Sequence, residues 1–185
     1  MTHHDTTLDS AQTSLKTSAL STNEKHQIAT HILAALPHCR LLNMSVEAIT
    51  DTHLVMRLPY QQAIVGNPET GAVHGGSLTT LMDTASGAAA ILALPEPGLC
   101  PTLDLRIDYM NAARAGEDLL AYACVSRVSS SVIFTECQVV QAHDETVVAK
   151  CSATFMQLEG EAARHARAAV AALRQSLNTR SGAPS

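Results

Sequence analysis

The sequence predicts a single α+β domain in which a curved antiparallel sheet surrounds one apolar helix. Two observations carry this prediction. Residues 76–94 are nearly all small or apolar with helical spacing, and four runs with strand periodicity follow them, joined by short turns. Short turns favour antiparallel hairpins over parallel βαβ units, so we expect one sheet packed around the helix.

Length and composition agree with one globular domain. The chain has 185 residues, of which 46% are hydrophobic and 16% charged. Its formal net charge of −5 argues against a nucleic-acid partner, because phosphate binding needs clustered Lys and Arg. No apolar leader or run of about 20 apolar residues is visible, so we expect no membrane partner and a cytoplasmic location.

The cysteines and histidines give no sign of a disulfide framework or a metal site. The five cysteines form no C-x-x-C pair, and Cys124, Cys137 and Cys151 fall inside strand-like runs. We expect reduced thiols that pack as small hydrophobic groups. The histidines lack metal-ligand spacing, so the prediction is no metal and no other cofactor.

The first third of the chain contains a tail, a short helix and two strands. Residues 1–20 are rich in Ser, Thr and His without periodicity, which predicts a disordered tail. Ser21 or Thr22 then offers an N-cap for an amphipathic helix that stops at Pro37. Two strands are predicted near 42–50 and 53–59, and residues 60–74 are loop-like.

The rest of the chain supplies the central helix, four strands and a final helix. The central helix begins at Gly75 or Gly76 and ends before Pro95. The strands are predicted at 102–109, with strict alternation, and near 118–128, 131–142 and 146–157. The main domain is therefore expected at 21–158, followed by an Ala- and Arg-rich helix at 159–177 and a flexible tail at 178–185.

The turn His74-Gly75-Gly76, followed nine residues after the histidine by Asp83, is the most informative stretch. Glycines allow a tight turn and close approach of a ligand. They also open a helix, whose first N–H groups are unpaired and can stabilise an oxyanion. A solvent-facing or structural role for Asp83 is the alternative, but its apolar neighbours Leu81 and Met82 favour a buried acid that is used or paired.

These motifs together resemble the hot-dog thioesterases of the PaaI-like, phenylacetate-pathway type. The resemblance spans roughly residues 38–157. The matching segments are Gly66-Asn67-Pro68, His74-Gly75-Gly76, Leu81-Met82-Asp83-Thr84-Ala85 with Gly87, and Thr102-Leu103-Asp104-Leu105-Arg106-Ile107-Asp108-Tyr109.

The resemblance implies a catalytic role for five positions. It makes Asp83 the nucleophile or general base and the Gly75 N–H the oxyanion donor. Asn67 and His74 would shape the site around the thioester, and Thr102 would orient the attacking water. The sequence departs from certain relatives at Gly87, where they carry a hydroxyl residue, so that contact would be absent or supplied by Ser86 or Thr102.

Substrate-binding positions are expected among nearby polar residues and basic side chains. Arg106 and Arg114 could contact coenzyme A phosphates or serve only surface solubility, and Ser129-Ser130 could touch the nucleotide or form only a hairpin turn. The substrate-binding set predicted on these grounds is Gly76, Thr84, Arg106, Arg114, Ser129 and Ser130.

The predicted activity is hydrolysis of an acyl-CoA to free acid and coenzyme A, which is part of the substrate and not a cofactor. Two alternatives stay open: a non-catalytic acyl-CoA-binding module, and a hot-dog hydratase or dehydratase. A serine-triad hydrolase has no support, because the chain has no G-x-S-x-G motif.

Helix geometry predicts that each site is built from two chains. Gly75 and Asp83 lie eight residues apart, which is roughly 12 Å along a helix. One thioester carbonyl must meet an oxyanion donor within about 3 Å while its carbon lies beside the attacking group. A homodimer, or a dimer of dimers, with antiparallel helices satisfies both requirements.

Overall fold

The computed structural model describes residues 20–158 and 160–181. Residues 1–19 of the predicted tail at 1–20, and 182–185 of the predicted tail at 178–185, lie outside the described residues. The helices are α1 (Thr22–Ala35), α2 (Pro37–Leu41), α3 (Gly75–Ala93) and α4 (Gly160–Ser181). The strands are β1 (Ser45–Ile49), β2 (Leu54–Leu58), β3 (Val65–Asn67), β4 (Ala72–Val73), β5 (Thr102–Tyr109), β6 (Leu119–Val128), β7 (Val132–Gln141) and β8 (Val147–Met156).

One six-stranded antiparallel sheet forms the body of the domain. Its strand order is β1-β2-β6-β7-β8-β5, so β5 is an edge strand although it follows α3 directly in the chain. Helix α3 lies across the sheet and contacts β2, β5, β6, β7 and β8. The predicted α+β architecture, a sheet surrounding one apolar helix, is confirmed.

The apolar face of α3 forms the centre of the core. Its sequence-predicted members are 0–3% exposed, and each buried Leu contributes about 1.5–3 kcal/mol relative to an exposed one. They pack against the inner face of the sheet, which includes Ile133, Val139 and Phe155. The sequence-predicted members of this face are Leu78, Leu81, Met82, Ala85, Ala89 and Leu92, and the helix also buries Ser86, Ala88, Ala90, Ile91 and Ala93.

The amino-terminal helix begins with a capping box between Ser21 and Glu24, as the predicted N-cap requires. The chain leaves the helix at Leu36 in an extended conformation, because the residue before a proline avoids helical backbone angles. Pro37 then opens α2, since proline fits the first position of a helix. The strand predicted from residue 42 therefore starts three residues later, at Ser45.

The segment predicted as a loop at 60–74 has its own structure. A 3-10 turn at Gln62–Ile64 leads into a small hairpin of β3 and β4. Asn67 and Gly71 close the hairpin: the Gly71 N–H donates to the Asn67 carbonyl at 2.8 Å, and Gly71 has a φ of 70° that favours glycine. The loop prediction is wrong for these residues, because strands of two or three residues carry no periodicity.

The edge strand β5 contains a β-bulge at its start. Thr102 pairs with Phe155 and Asp104 with Thr154, so Leu103 is the extra residue and is 49% exposed. The predicted strict alternation is therefore wrong at the first residue. Thr102 faces α3 together with Leu105 and Ile107, which pack against the core.

The carboxyl-terminal helix follows a short connection from β8. Helix α4 runs to Ser181 and so continues past the predicted end at 177. Arg167 on this helix forms an ion pair of 3.4 Å with Glu96, just beyond the end of α3. None of the helices in the described part of the chain has the length and hydropathy to span a bilayer.

Candidate active site

The β3–β4 hairpin fixes the residue that precedes α3. The backbone N–H of His74 donates to the carbonyl of Ile64 at 2.8 Å. A β-carbon on Gly66 would lie 2.7 Å from the Cα of His74, so only glycine allows β3 to approach this closely. Gly66, one of the residues on which the resemblance rests, therefore positions the turn at 74–76.

His74 is the N-cap of α3. Its Nδ1 accepts a hydrogen bond from the Gly76 N–H at 2.9 Å. An accepting Nδ1 means that the neutral ring carries its proton on Nε2, and the exposed side chain leaves that Nε2–H available as a donor. His74 thus shapes the helix terminus and can also contact a bound ligand.

The Gly75 N–H is the free donor of this terminus. No acceptor within the described residues bonds to it, whereas the Gly76 N–H is taken by His74 and the Ser77 N–H by the His74 carbonyl. Unpaired N–H groups at a helix start carry partial positive charge and can bind an oxyanion. This geometry fits the oxyanion donor that the sequence predicted.

Asp83 is half-buried on the side of α3 that faces β5. The Thr102 hydroxyl donates to Asp83 Oδ1 at 2.8 Å. The bulge in β5 makes this contact possible, because it turns Thr102 towards the helix. Asp83 therefore has one defined partner and retains further lone pairs for a water or a substrate.

A stripe of residues at four-residue spacing follows the same side of α3. Gly75 and Thr79 meet the Tyr109 side chain, Asp83 meets Thr102, and Gly87 lies against the ring of Phe155. Every partner in this stripe comes from β5 or β8. The free N–H of Gly75 and the acid of Asp83 thus lie on one side of the helix, eight residues apart along it.

Helix α2 contacts the neighbouring stripe of α3. The Cys39 thiol lies 3.8 Å from the Thr84 hydroxyl, and His38 Nε2 lies 3.3 Å from the Thr80 hydroxyl. Burial raises the pKa of the Cys39 thiol, and the nearby Asp83 carboxylate raises it further. Asp83 therefore lies between β5 on one side and α2 on the other, and the thiol beside it stays protonated at neutral pH.

The hydroxyl beside the acid comes from Thr102 and not from Ser86. Ser86 is fully buried and faces Cys137 and Cys151 beneath the helix. Gly87 leaves room for Phe155, whose ring would lie 3.3 Å from a β-carbon at that position. Of the two sources that the sequence left open, the structure brings only Thr102 into contact with Asp83.

Asn67 is placed at the tip of the hairpin before α3. Its Oδ1 accepts hydrogen bonds from the Glu69 N–H at 2.9 Å and the Thr70 N–H at 3.4 Å. This Asx-type turn leaves the side-chain NH₂ as the free group. Within one chain Asn67 orders the loop that leads to His74.

The other residues predicted to bind substrate, Arg106, Arg114, Ser129 and Ser130, lie in ion pairs or a turn with nearby residues of the same chain. Arg114 binds Glu117 at 3.0 Å and Asp144 at 2.7 Å, and this guanidinium lowers the pKa of Asp144 to about 2. Arg106 forms an ion pair with Asp108 at 3.2 Å. The Ser129 hydroxyl donates to the Val132 carbonyl at 2.7 Å, so the hairpin-turn role is present, with the exposed Ser130 at its tip.

Sequence reasoning missed two residues that the structure brings to this region. Tyr109 reaches the first turn of α3, and its place in the alternation with Leu105 and Ile107 was the available signal. Cys39 reaches Thr84 from α2, a helix that was not predicted. Among the described residues, no group of three or more His, Cys, Asp or Glu side chains is placed to hold a metal ion.

Comparison with known proteins identifies the family. The thioesterase superfamily profile matches residues 70–148, which include the turn at 74–76, α3 and β5. A Pseudomonas aeruginosa protein of solved structure is 45% identical with a TM-score of 0.66, covering 72% of this chain and 99% of that chain. This chain belongs to the thioesterase superfamily and has its hot-dog fold.

Several similar proteins are acyl-CoA thioesterases by name. The Escherichia coli medium/long-chain acyl-CoA thioesterase YigI is 26% identical over 136 residues, which is 65% of this chain and 85% of that protein. The Xenopus laevis acyl-coenzyme A thioesterase THEM4 is 29% identical over 89 residues, 48% of this chain but only 38% of that longer protein.

The structure of the Escherichia coli PaaI protein, from the phenylacetic acid degradation operon, shares the fold at 19% identity. Its TM-score is 0.66, and the match covers 75% of this chain and 96% of that chain. The hot-dog fold that the resemblance to PaaI-like proteins implied is confirmed.

Replacing Gly66 with Ala tests whether the hairpin holds His74. The new methyl group would meet backbone atoms of His74 at 2.7–3.0 Å, so the hairpin must shift. We expect Gly66→Ala to lower the free energy of unfolding by about 1–3 kcal/mol in urea denaturation. Gly98→Ala is the matched control, because its nearest contact is the Arg167 Cγ at 3.6 Å. Equal stability of the two variants would contradict a tight hairpin contact.

Proposed function

We propose that this protein hydrolyses acyl-CoA thioesters to free acid and coenzyme A, without a metal or redox cofactor. The observation that carries the proposal is the half-buried Asp83 carboxylate, bonded to the Thr102 hydroxyl at 2.8 Å on a helix that begins with a free N–H. Similarity to acyl-CoA thioesterases supports the same substrate class. We place the enzyme in the cytoplasm, since its five free thiols suit a reducing compartment.

Asp83 acts in the attack on the thioester carbon. As a general base, its free carboxylate oxygen takes a proton from a water whose oxygen attacks the thioester carbon. Thr102 donates its hydroxyl proton to Asp83, so its oxygen can accept a hydrogen bond from that water and orient it. As a nucleophile, Asp83 would instead attack the thioester carbon and displace coenzyme A thiolate to form an acyl anhydride. Water then hydrolyses the anhydride to the free acid and the Asp83 carboxylate, and the released proton passes to the thiolate.

The start of α3 supplies the oxyanion site. Attack moves charge to the carbonyl oxygen, where the Gly75 N–H can donate at the positive end of the helix. Collapse of the tetrahedral intermediate breaks the C–S bond, and the proton taken from water passes to the coenzyme A thiolate. The Nε2–H of His74 and the side-chain NH₂ of Asn67 are free to donate to the thioester or to the pantetheine arm of coenzyme A.

Each site takes its two halves from different chains in this proposal. The structure keeps Gly75 and Asp83 on one helix, eight residues or roughly 12 Å apart, so one carbonyl cannot meet both. An antiparallel second copy of α3, related by a twofold axis, would place Gly75 of one chain opposite Asp83 of the other.

The edge strand β5 supports pairing with a second copy. It bonds to β8 along one side only, which leaves a row of backbone donors and acceptors on the other side. Apolar side chains of this region are exposed in the single chain, among them Leu103, Tyr109 and Met110. We propose a homodimer, alone or within a dimer of dimers, that covers them.

Turnover of a panel of aryl and aliphatic acyl-CoAs, followed with a thiol reagent, tests the activity. We expect thiol release by the wild type. Asp83→Asn should lower kcat by at least about 10²-fold, because it keeps the shape and removes the base or nucleophile. Asp104→Asn, a neutralised carboxylate on the exposed side of β5, is the matched control and should keep full activity.

The outcomes of the panel separate the candidate functions. Loss of the alkene absorbance of an enoyl-CoA without thiol release would indicate a hydratase. Binding without either change would indicate a carrier module. A folded Asp83→Asn protein with normal turnover would refute the role of Asp83.

Replacing Thr102 with Val tests the water-orienting role. The substitution keeps the shape and removes the donor to Asp83, so we expect kcat to fall roughly tenfold while substrate binding is kept. Thr154→Val on the opposite face of the sheet is the matched control. Unchanged kcat in Thr102→Val would leave Thr102 with a structural role only.

Mixing two inactive variants tests the composite site. One variant is Asp83→Asn; the other is Gly75→Pro, which removes the oxyanion donor. Proline suits the first helical position, and the His74 ψ of 134° is the extended conformation required before proline. We expect activity to return on subunit exchange, because each heterodimer contains one intact site.

A steric control accompanies the mixing experiment. Gly75→Ala places the same β-carbon 3.2 Å from the Tyr109 hydroxyl but keeps the N–H, so it should retain more activity than Gly75→Pro. Heterodimers that form and stay inactive, or an active monomer in analytical ultracentrifugation, would refute the shared site.

A further inference from the structure

Tyr109, the last residue of β5, is bonded to the first turn of α3. Its hydroxyl donates to the Gly75 carbonyl at 3.0 Å and lies 3.0 Å from the Thr79 hydroxyl. Its ring lies against Gly75, where a β-carbon would come within 3.2–3.4 Å of the phenol. One side chain therefore holds the residue whose N–H is the oxyanion donor.

The two hydroxyl groups around the Gly75 carbonyl differ in what they connect. Thr79 also reaches the Gly75 carbonyl, at 3.1 Å, but that contact joins two residues of the same helix. The two hydroxyls carry two protons for three contacts, so at most two of the contacts are hydrogen bonds at one time, and the carbonyl oxygen, with two lone pairs, can accept from both hydroxyls. Of the two hydroxyls, only that of Tyr109 ties the turn to the sheet.

Two consecutive glycines make this turn depend on outside support. Gly75 and Gly76 lack β-carbons, so their backbone torsions are less restricted than those of other residues. Catalysis by an oxyanion donor requires the N–H to be held in place before the charge develops. A restraint on Gly75 from the sheet meets this requirement.

We propose that Tyr109 is a positioning residue that holds the first turn of α3 and so aims the Gly75 N–H at the thioester oxygen. This inference rests on the proposed function. Thr102 holds Asp83 from the start of β5, and Tyr109 holds Gly75 from its end. In a shared site, the two residues of one chain would serve the two different sites of the dimer.

The test is Tyr109→Phe in the full-length protein, with steady-state kinetics and hydrogen–deuterium exchange. The variant keeps the ring and loses the hydroxyl. We expect kcat to fall about five- to tenfold, the loss for one hydrogen bond, with KM within twofold of the wild type. Amide exchange of the segment 75–79 should become faster, while that of β7 should not change.

Tyr60→Phe is the matched control. The Tyr60 hydroxyl also donates to a glycine carbonyl, that of Gly71 at 2.9 Å, but outside α3. It should lower stability by a similar amount and leave kcat within twofold. Thr79→Val should cost less than Tyr109→Phe, because the bond to the sheet remains.

Three outcomes would overturn the positioning role. They are unchanged kcat and exchange in Tyr109→Phe, an equal kcat loss in Tyr60→Phe, or a rise in KM with kcat unchanged, which would make Tyr109 a binding contact. A wild type that releases no thiol refutes the proposed function. The exchange experiment would then still decide whether Tyr109 holds the turn.

Discussion

The hydrogen bonds between the edge strand β5 and helix α3 are the constraint on which the candidate site depends. Thr102 at the start of the strand bonds to Asp83, and Tyr109 at its end bonds to Gly75. Both contacts join a rigid sheet to one side of the helix, so the acid and the helix terminus are held by the same strand. Because β5 is also one of the two edge strands of the sheet, whatever pairs with that edge lies directly beside both groups.

The electrostatics of α3 follow from where its polar residues lie. Leu81 and Met82 face the core at 0% exposure, and the next residue, Asp83, is turned towards the edge strand. A charge beside so much apolar surface costs free energy unless it is solvated or bonded, and the Thr102 hydroxyl provides one bond. The four-residue repeat from Gly75 to Gly87 keeps the other positions of that stripe small or hydroxyl-bearing, which leaves space next to the acid.

Much of the fold was predictable from periodicity. The alternation of β6, β7 and β8 and the apolar face of α3 are each set by burial on one side, and a shift of register would expose that side. Short elements were not predictable in this way: α2 and the β3–β4 hairpin are stabilised by proline at a helix start, an Asx-type turn at Asn67 and contacts with α3. Among the candidate site residues, Asp83 and the turn at 74–76 stand out in the sequence because a carboxylate in an apolar helix and paired glycines at its start are unusual. Tyr109 does not stand out, since its contact with Gly75 joins residues 34 apart.

The α+β class, the central helix and the acid within it depend on local patterns of apolar and small residues, so the order of amino acids is enough to predict them. Which side chains meet depends instead on how distant segments pair. The bulge at Leu103 turns Thr102 from the outer face of the sheet to the inner one, and no alternation of residue types announces it. The order of the strands places β5 at the edge, next to β8, although it follows α3 directly in the chain. Both features arise from pairing between distant segments, which a single stretch of sequence cannot specify.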